Sequence, residues 1–326
     1  MVYRNENKKE GVITSLLGEP TRAKASGLTY TLSVFGSSVV AVLFLLVLSF
    51  TGVMIQEGYQ KTDWYLYCSF LINPIAFAGI AYLVLRWLGI SVFEEVRAQT
   101  CHPKYFLIAV LLQFGLLALS ELNVLFLQFL TQFGYQPTEI LLPSMDGFGF
   151  IGVLFVVALL PAIFEEIIFR GMLLKGLRPF GTLGMILISG ALFSLYHQNP
   201  AQTLYQFCCG AIFALIAVKS GSFLPTVLSH FLNNALIITL AKFGVSEFPF
   251  PVYEILLALE IISFIVAMVW LFVGKNDTCT QEAGLQISPK EGKEENDRAR
   301  KQFWAFASIG IALCVLSWCA VLLAGM

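Results

Sequence analysis

Residues 161–171 read PAIFEEIIFRG and place two adjacent carboxylates, Glu165 and Glu166, and one guanidinium, Arg170, in a run that is otherwise apolar. Ionisable groups at membrane depth are costly and rare, and they mostly face the interior of a helix bundle. The stretch therefore predicts a functional site inside a membrane-embedded helix. The alternative is a buried ion pair with a purely structural role.

The composition also indicates a membrane protein. The chain has 326 residues, of which 57% are hydrophobic and 13% charged, and its mean hydropathy is +0.78. A soluble domain carries about 25% charged residues, so we predict an all-α, polytopic transmembrane helix bundle in a lipid bilayer. The net charge of −1 favours neither acidic nor basic partners, and we find no nucleic-acid-binding signature. The seven cysteines contain no C-x-x-C pair, and we assign them no chemistry.

Charged residues divide the sequence into apolar runs of about 20 residues, the length that crosses a bilayer. We predict about nine spans: 28–55, 64–86, 105–130, a fourth from 147, a fifth and a sixth within 179–218, a seventh ending near 242, 252–273 and 303–323. The fifth and sixth are divided at Gln198-Asn199-Pro200, and we expect a polar, flexible segment over 275–302. This divides the chain into an N-terminal part (1–146), a core (147–240) and a C-terminal part (241–326).

The distribution of positive charge predicts the orientation. Loops rich in lysine and arginine tend to stay cytoplasmic. With nine spans and a cytoplasmic N-terminus, 18 of the 20 lysine and arginine residues fall on the cytoplasmic side, and only Lys61 and Lys242 do not. We therefore expect a multi-pass protein of the cell membrane, with the first apolar run retained as a signal anchor.

Spacing within the helices suggests separate roles for the polar residues. Glu166 and Arg170 are spaced i, i+4 and can pair on one helix face, whereas Glu165 points about 100° away and stays available as a general base. His230 and Asn234, again i, i+4, can together donate hydrogen bonds to an oxyanion.

A second histidine, His197, also lies within an apolar run. Counted along ideal helices, Glu165, His197 and His230 lie about 20, 27 and 16 Å from the same membrane surface. Helix tilt can absorb this spread, so a shared site is allowed but not required. Of the other ionisable residues, we expect His102 to be solvated, and we expect Glu121, Glu254 and Glu260 to be isolated, with structural or interfacial roles.

Three motifs together resemble those of the CAAX protease and bacteriocin-processing family of intramembrane metalloproteases, which includes the type II CAAX prenyl endopeptidases. The family pattern is E-E-x-x-x-R, then F-x-x-x-H, then H-x-x-x-N or H-x-x-x-D. All three are intact here, as Glu165-Glu166-Ile-Ile-Phe-Arg170, Phe193-Ser-Leu-Tyr-His197 and His230-Phe-Leu-Asn-Asn234.

The resemblance implies a helical peptidase whose catalytic residues are Glu165, His197, His230 and Asn234. The first two would activate water and the last two would stabilise the tetrahedral oxyanion. Glu166 and Arg170 would support the site. The substrate would be a membrane-associated protein or peptide, processed at a CAAX-type end or at a bacteriocin-type or leader-type site.

Two alternatives stay open. Glu165, His197 and His230 suit a three-ligand zinc site with an open fourth position, but H-E-x-x-H is absent and a glutamate-activated water without metal fits the same residues. The second alternative is a non-catalytic membrane protein of the same fold, acting as an immunity factor, a partner-binding protein or a transporter.

Overall fold

A computed structural model of the chain describes residues 18–89, 101–138, 140–245, 248–273 and 292–326. These residues form helices, turns and loops, and no β-strand occurs among them. The helices are α1 (Glu19–Phe50), α2 (Asp63–Trp87), α3 (Lys104–Ala118), α4 (Ser120–Gln132), α5 (149–180), α6 (Gly181–Tyr196), α7 (Thr203–Ser220), α8 (Leu224–Lys242), α9 (Phe250–Val273) and α10 (Lys293–Ala324). The predicted all-α fold is confirmed.

Eight helical stretches in the described part of the chain are long and apolar enough to cross a bilayer. The longest, Gly149–Tyr196, contains α5 and α6 and folds back on itself. The rings of Phe169 and Phe193, one on each helix, show this because they lie only 5.1 Å apart. A straight helix would separate these residues by about 36 Å. Gly181 makes the turn with a φ of +76°, which glycine adopts readily. The stretch thus contains both the fourth and the fifth predicted spans.

The C-terminal helix begins earlier than predicted. Helix α10 starts at Lys293, so the expectation of a flexible segment up to residue 302 was wrong for its last ten residues. The reason is packing: Ala299 and Phe303 are buried in the main hydrophobic cluster, and the Arg300 guanidinium donates to the Pro179 carbonyl oxygen at 2.7 Å. Residues 275–291 of that predicted segment lie outside the described residues.

Two hydrophobic clusters surround the centre of the bundle. The larger joins α1, α2, α5, α6 and α10 with part of α7, and Tyr30, Phe77 and Phe169 are among its fully buried residues. The smaller joins α3, α7 and α9 and includes Leu112 and Phe213. Helix α8 packs against α3, α5 and α7, and so lies at the junction of the two clusters. This junction is where the polar residues of the sequence motifs meet.

Candidate active site within the bundle

Helix α5 carries the charged motif into the junction. It is irregular, with π-helical turns at Leu154–Leu159 and Ile167–Leu173 on either side of the α-helical turn that bears both glutamates. π-Helical turns are rare and often occur at functional sites. Glu165 is 7% exposed, Glu166 is fully buried and Arg170 is 2% exposed, so all three charged groups lie inside the bundle.

The predicted ion pair is present. Arg170 Nη1 donates to Glu166 Oε1 at 2.9 Å, and Arg170 Nη2 donates to the Gly210 carbonyl oxygen at 2.9 Å. The second bond ties α5 to α7. Because Arg170 is buried in this pair, it cannot count as a loop charge, as the orientation argument assumed.

Three aromatic rings enclose the guanidinium of Arg170. Its central carbon lies 4.4 Å from the centroid of Phe193, 5.3 Å from Phe213 and 5.7 Å from Phe169. Cation–π attraction strengthens as the cation loses water, so these rings stabilise a buried charge that the ion pair only partly compensates. The rings come from both hydrophobic clusters, and the guanidinium therefore links the two halves of the bundle.

His230 from α8 contacts both glutamates. Its Nδ1 lies 3.0 Å from Glu166 Oε1, and its Nε2 lies 4.0 Å from Glu165 Oε2. Since the Glu166 carboxylate is paired with Arg170 and only accepts hydrogen bonds, the proton of this contact lies on His230 Nδ1. The ring also stacks on Phe213, with centroids 5.5 Å apart. The buried Glu166 therefore fixes the tautomer and the orientation of His230.

His197 lies at the end of α6, where the chain turns towards α7. Its Nδ1 lies 2.8 Å from the carbonyl oxygen of Phe193, which can only accept, so the Nδ1 carries a proton and Nε2 keeps its lone pair in the neutral ring. Glu165 lies within electrostatic range of this half-buried ring. The F-x-x-x-H motif thus has a physical basis: Phe193 orients His197 through its backbone and covers Arg170 with its ring.

Asn234 is half-buried on α8, one turn beyond His230. Its Oδ1 accepts a hydrogen bond from the neighbouring Asn233 Nδ2 at 3.3 Å. Of the six sequence-predicted residues, four make direct contacts in one cluster: Glu165, Glu166, Arg170 and His230. His197 joins them through Phe193, and Asn234 shares a helix face with His230.

The arrangement of donors does not match a metal centre. Within the part of the chain that the structure describes, no group of three or more histidine, cysteine, aspartate or glutamate side chains is arranged to hold a metal ion. The possible ligand set of Glu165, His197 and His230 is therefore not brought together in this geometry.

The other ionisable residues lie apart from this cluster. His102 is exposed, as expected. Glu254 is also exposed, but Glu121 and Glu260 are not isolated: both line an apolar cavity of about 890 Å³ between α3, α4, α8 and α9, together with Tyr253. The two carboxylates interact electrostatically across this cavity. The expectation of isolated side chains was therefore wrong for this pair.

Together, the bundle and its buried carboxylate–histidine cluster define a polytopic helical membrane protein with a site suited to acid–base chemistry. Residues 147–236 match the family model described as type II CAAX prenyl endopeptidase Rce1-like. This segment is a domain of that family of peptidases and contains all six candidate residues. The match confirms the resemblance seen in the sequence. Comparisons with curated proteins and with solved structures gave no match.

Close packing of α6 on α7 sets the position of the Gly210 carbonyl. A methyl group on Gly210 would lie 2.9 Å from the Gly190 Cα, which is backbone and cannot move aside. We expect Gly210→Ala to cost about 1–3 kcal/mol through overpacking and to lower the thermal unfolding temperature in detergent. The matched control is Gly79→Ala in α2, where a methyl group meets nothing within 4 Å. Equal unfolding temperatures for the two variants would contradict this account of the interface.

Proposed function

We propose that this protein is an intramembrane endopeptidase that hydrolyses a peptide bond of a membrane-associated protein or peptide. One observation carries the proposal: within the peptidase-family segment, His230 is held between Glu165 at 4.0 Å and the buried Glu166 at 3.0 Å. A structural ion pair needs only Glu166 and Arg170. Glu165 is not needed for such a pair, and its buried Oε2 has no hydrogen-bond partner among the described residues. Both facts support a role for Glu165 as a general base.

The nucleophile in this mechanism is a water molecule between Glu165 and His197. Both groups accept hydrogen bonds, the first as a carboxylate and the second through the Nε2 lone pair, so each can take one water proton and aim an oxygen lone pair at the scissile carbonyl. As the oxygen–carbon bond forms, one proton passes to the Glu165 carboxylate. The carbonyl π electrons move to oxygen and give a tetrahedral oxyanion.

The oxyanion is stabilised from α8. His230 keeps Nδ1–H on Glu166 and, when doubly protonated, presents Nε2–H, while Asn234 presents its amide N–H one turn away. The carbon–nitrogen bond then breaks, and protonated Glu165 returns its proton to the leaving amine. The second proton of the water passes through His197 Nε2 to the amine, so the products are a carboxylate and an ammonium ion, and both Glu165 and His197 are restored.

We propose a C-terminally prenylated CAAX-type segment as substrate, on the basis of the family description. The test uses the purified full chain in lipid vesicles with a farnesylated CAAX peptide and the same peptide without the lipid. We expect shorter products by mass spectrometry from the farnesylated peptide. If neither peptide is cut, comparison of proteomes with and without the active enzyme tests the leader-type alternative by revealing changed termini.

We expect hydrolysis to survive stringent chelation, because the proposed mechanism uses no metal ligand. The measurement is the initial rate in vesicles before and after chelator treatment, with elemental analysis of the same sample. A rate that is lost with the metal and restored by added zinc would overturn the metal-free mechanism while keeping the peptidase assignment. A known zinc endopeptidase treated in parallel controls for incomplete chelation.

The multi-pass membrane location rests on the eight apolar helical stretches. Its finer features are also proposals: a plasma-membrane location, a cytoplasmic N-terminus and a catalytic core over 147–240. The lysine and arginine distribution supports the orientation. Protease protection of tags placed at either end of the chain in sealed vesicles tests it.

A further inference from the structure

A second polar network lies beside the candidate site, about 100° around α8 from His230 and Asn234. Gln113 of α3 donates through Nε2 to Asn233 Oδ1 at 2.8 Å and accepts through Oε1 from the Ser229 hydroxyl at 3.2 Å. Tyr205 of α7 donates its hydroxyl to the same Asn233 oxygen at 2.6 Å. Gln113 is 3% exposed, Asn233 is 5% exposed and Ser229 is fully buried, so the network is shielded from solvent.

The direction of each hydrogen bond in this network follows from the donors available. With two donors already on Asn233 Oδ1, its amide nitrogen turns away from Gln113 and Tyr205 and donates to Asn234 Oδ1 at 3.3 Å. The Asn234 oxygen is thereby occupied on the side facing Asn233. The amide nitrogen of Asn234 therefore faces away from Asn233 and is available as a donor.

We propose that Gln113 is a positioning residue for hydrolysis, which orients the Asn234 amide as an oxyanion donor through Asn233. The inference rests on the proposed peptidase function and extends it, because Gln113 lies outside the peptidase-family segment 147–236. Without the donor from Gln113, only the Tyr205 hydroxyl still holds the Asn233 amide in its present orientation. A flipped Asn233 amide would then rotate Asn234 and turn an oxygen towards the oxyanion.

The bland alternative is that these side chains only hold helices together, as polar residues often do in membrane bundles. The contacts argue for more than this role. Gln113 accepts from Ser229 and donates to Asn233, and the Asn233 amide that it orients is the group that contacts the candidate oxyanion donor Asn234. A side chain that only held helices together would not need to set the direction of the Asn233 and Asn234 amides.

The test is a double-mutant cycle on the full chain, with the farnesylated CAAX peptide as probe. We expect Gln113→Leu to lower kcat about tenfold, part of the roughly 10²–10³-fold effect of an oxyanion donor, with KM changed less than twofold. In an Asn234→Ala background the same substitution should leave kcat unchanged, since its effect passes through Asn234. Ser26→Ala, which removes one buried hydrogen bond between α1 and α5, is the matched control for lost interhelical contacts.

A second variant keeps the inference falsifiable if Gln113→Leu does not fold. Asn233→Asp keeps an acceptor for Gln113 and Tyr205 and replaces the donor to Asn234 by a second carboxyl oxygen, which draws the Asn234 amide nitrogen towards residue 233. We expect the same loss of kcat, with thermal unfolding as the check that this variant is folded. Additive losses in the cycle, or a kcat within twofold of the Ser26→Ala control, would overturn the positioning role but leave the peptidase proposal standing. A wild-type chain that cleaves neither CAAX peptide and changes no terminus in the proteome comparison would overturn both.

Discussion

Glu165→Gln is expected to abolish peptide hydrolysis while leaving the protein folded and inserted. The amide cannot accept the water proton, and loss of a general base costs about 10²–10⁴-fold in rate. Folding should be spared because Glu165 Oε2 has no hydrogen-bond partner among the described residues, so the isosteric change breaks no bond of that oxygen. The measurement is the initial rate in vesicles, with size-exclusion chromatography and thermal unfolding of the same preparation.

The matched control is Glu121→Gln, which neutralises another carboxylate within an apolar helix but at the separate cavity. It should hydrolyse at nearly the wild-type rate. Near-normal turnover by Glu165→Gln would remove this residue from the mechanism. If the inactive form nevertheless supported the biological role in cells, the non-catalytic alternative would be favoured.

His197→Ala belongs to the same prediction and should also remove hydrolysis without unfolding the protein. The side chain contributes one hydrogen bond, from Nδ1 to the Phe193 carbonyl, and a half-buried ring at the end of α6. Its loss removes the second acceptor for the attacking water. His102→Ala, at an exposed loop position, controls for the removal of a histidine as such.

The sequence was most informative where interactions are local. The Glu166–Arg170 pair follows from i, i+4 spacing on one helix, and it is present at 2.9 Å. The contact between Glu166 and His230 joins residues 64 positions apart and depends on how α8 packs against α5. No helical period encodes that packing, so the sequence could allow a shared site but could not predict which glutamate holds the histidine.

The roles of uncharged polar residues inside the predicted spans could not be predicted from the sequence. Gln113 is uncharged and fits within an apolar run without disturbing its hydropathy, and Asn233 belongs to no motif although it lies beside the motif residue Asn234. Their roles appear only when α3, α7 and α8 meet. The start of α10 could not be predicted either. Its polar first turns are held by tertiary contacts that composition does not reveal.

Arg170→Met and Glu166→Gln are each expected to reduce stability as well as activity, unlike the changes at Glu165 and His197. Both side chains are fully buried in one ion pair, and removing either partner strands the other charge in the bundle at a cost of about 3–5 kcal/mol. Asp297→Ala is the control, since it breaks an exposed pair with Arg300 that is worth at most about 1 kcal/mol. Thermal unfolding in detergent measures the difference.

The double variant Glu166→Leu/Arg170→Met separates the two contributions of this pair. With neither charge left in the bundle, we expect it to unfold at a higher temperature than either single variant, since apolar replacement of a buried pair is often close to neutral. Hydrolysis should stay absent, because His230 Nδ1 loses the carboxylate that fixes its tautomer. A double variant that is stable and active would show that the pair serves packing only, with His230 oriented by Glu165 and by the rings of Phe213 and Phe193.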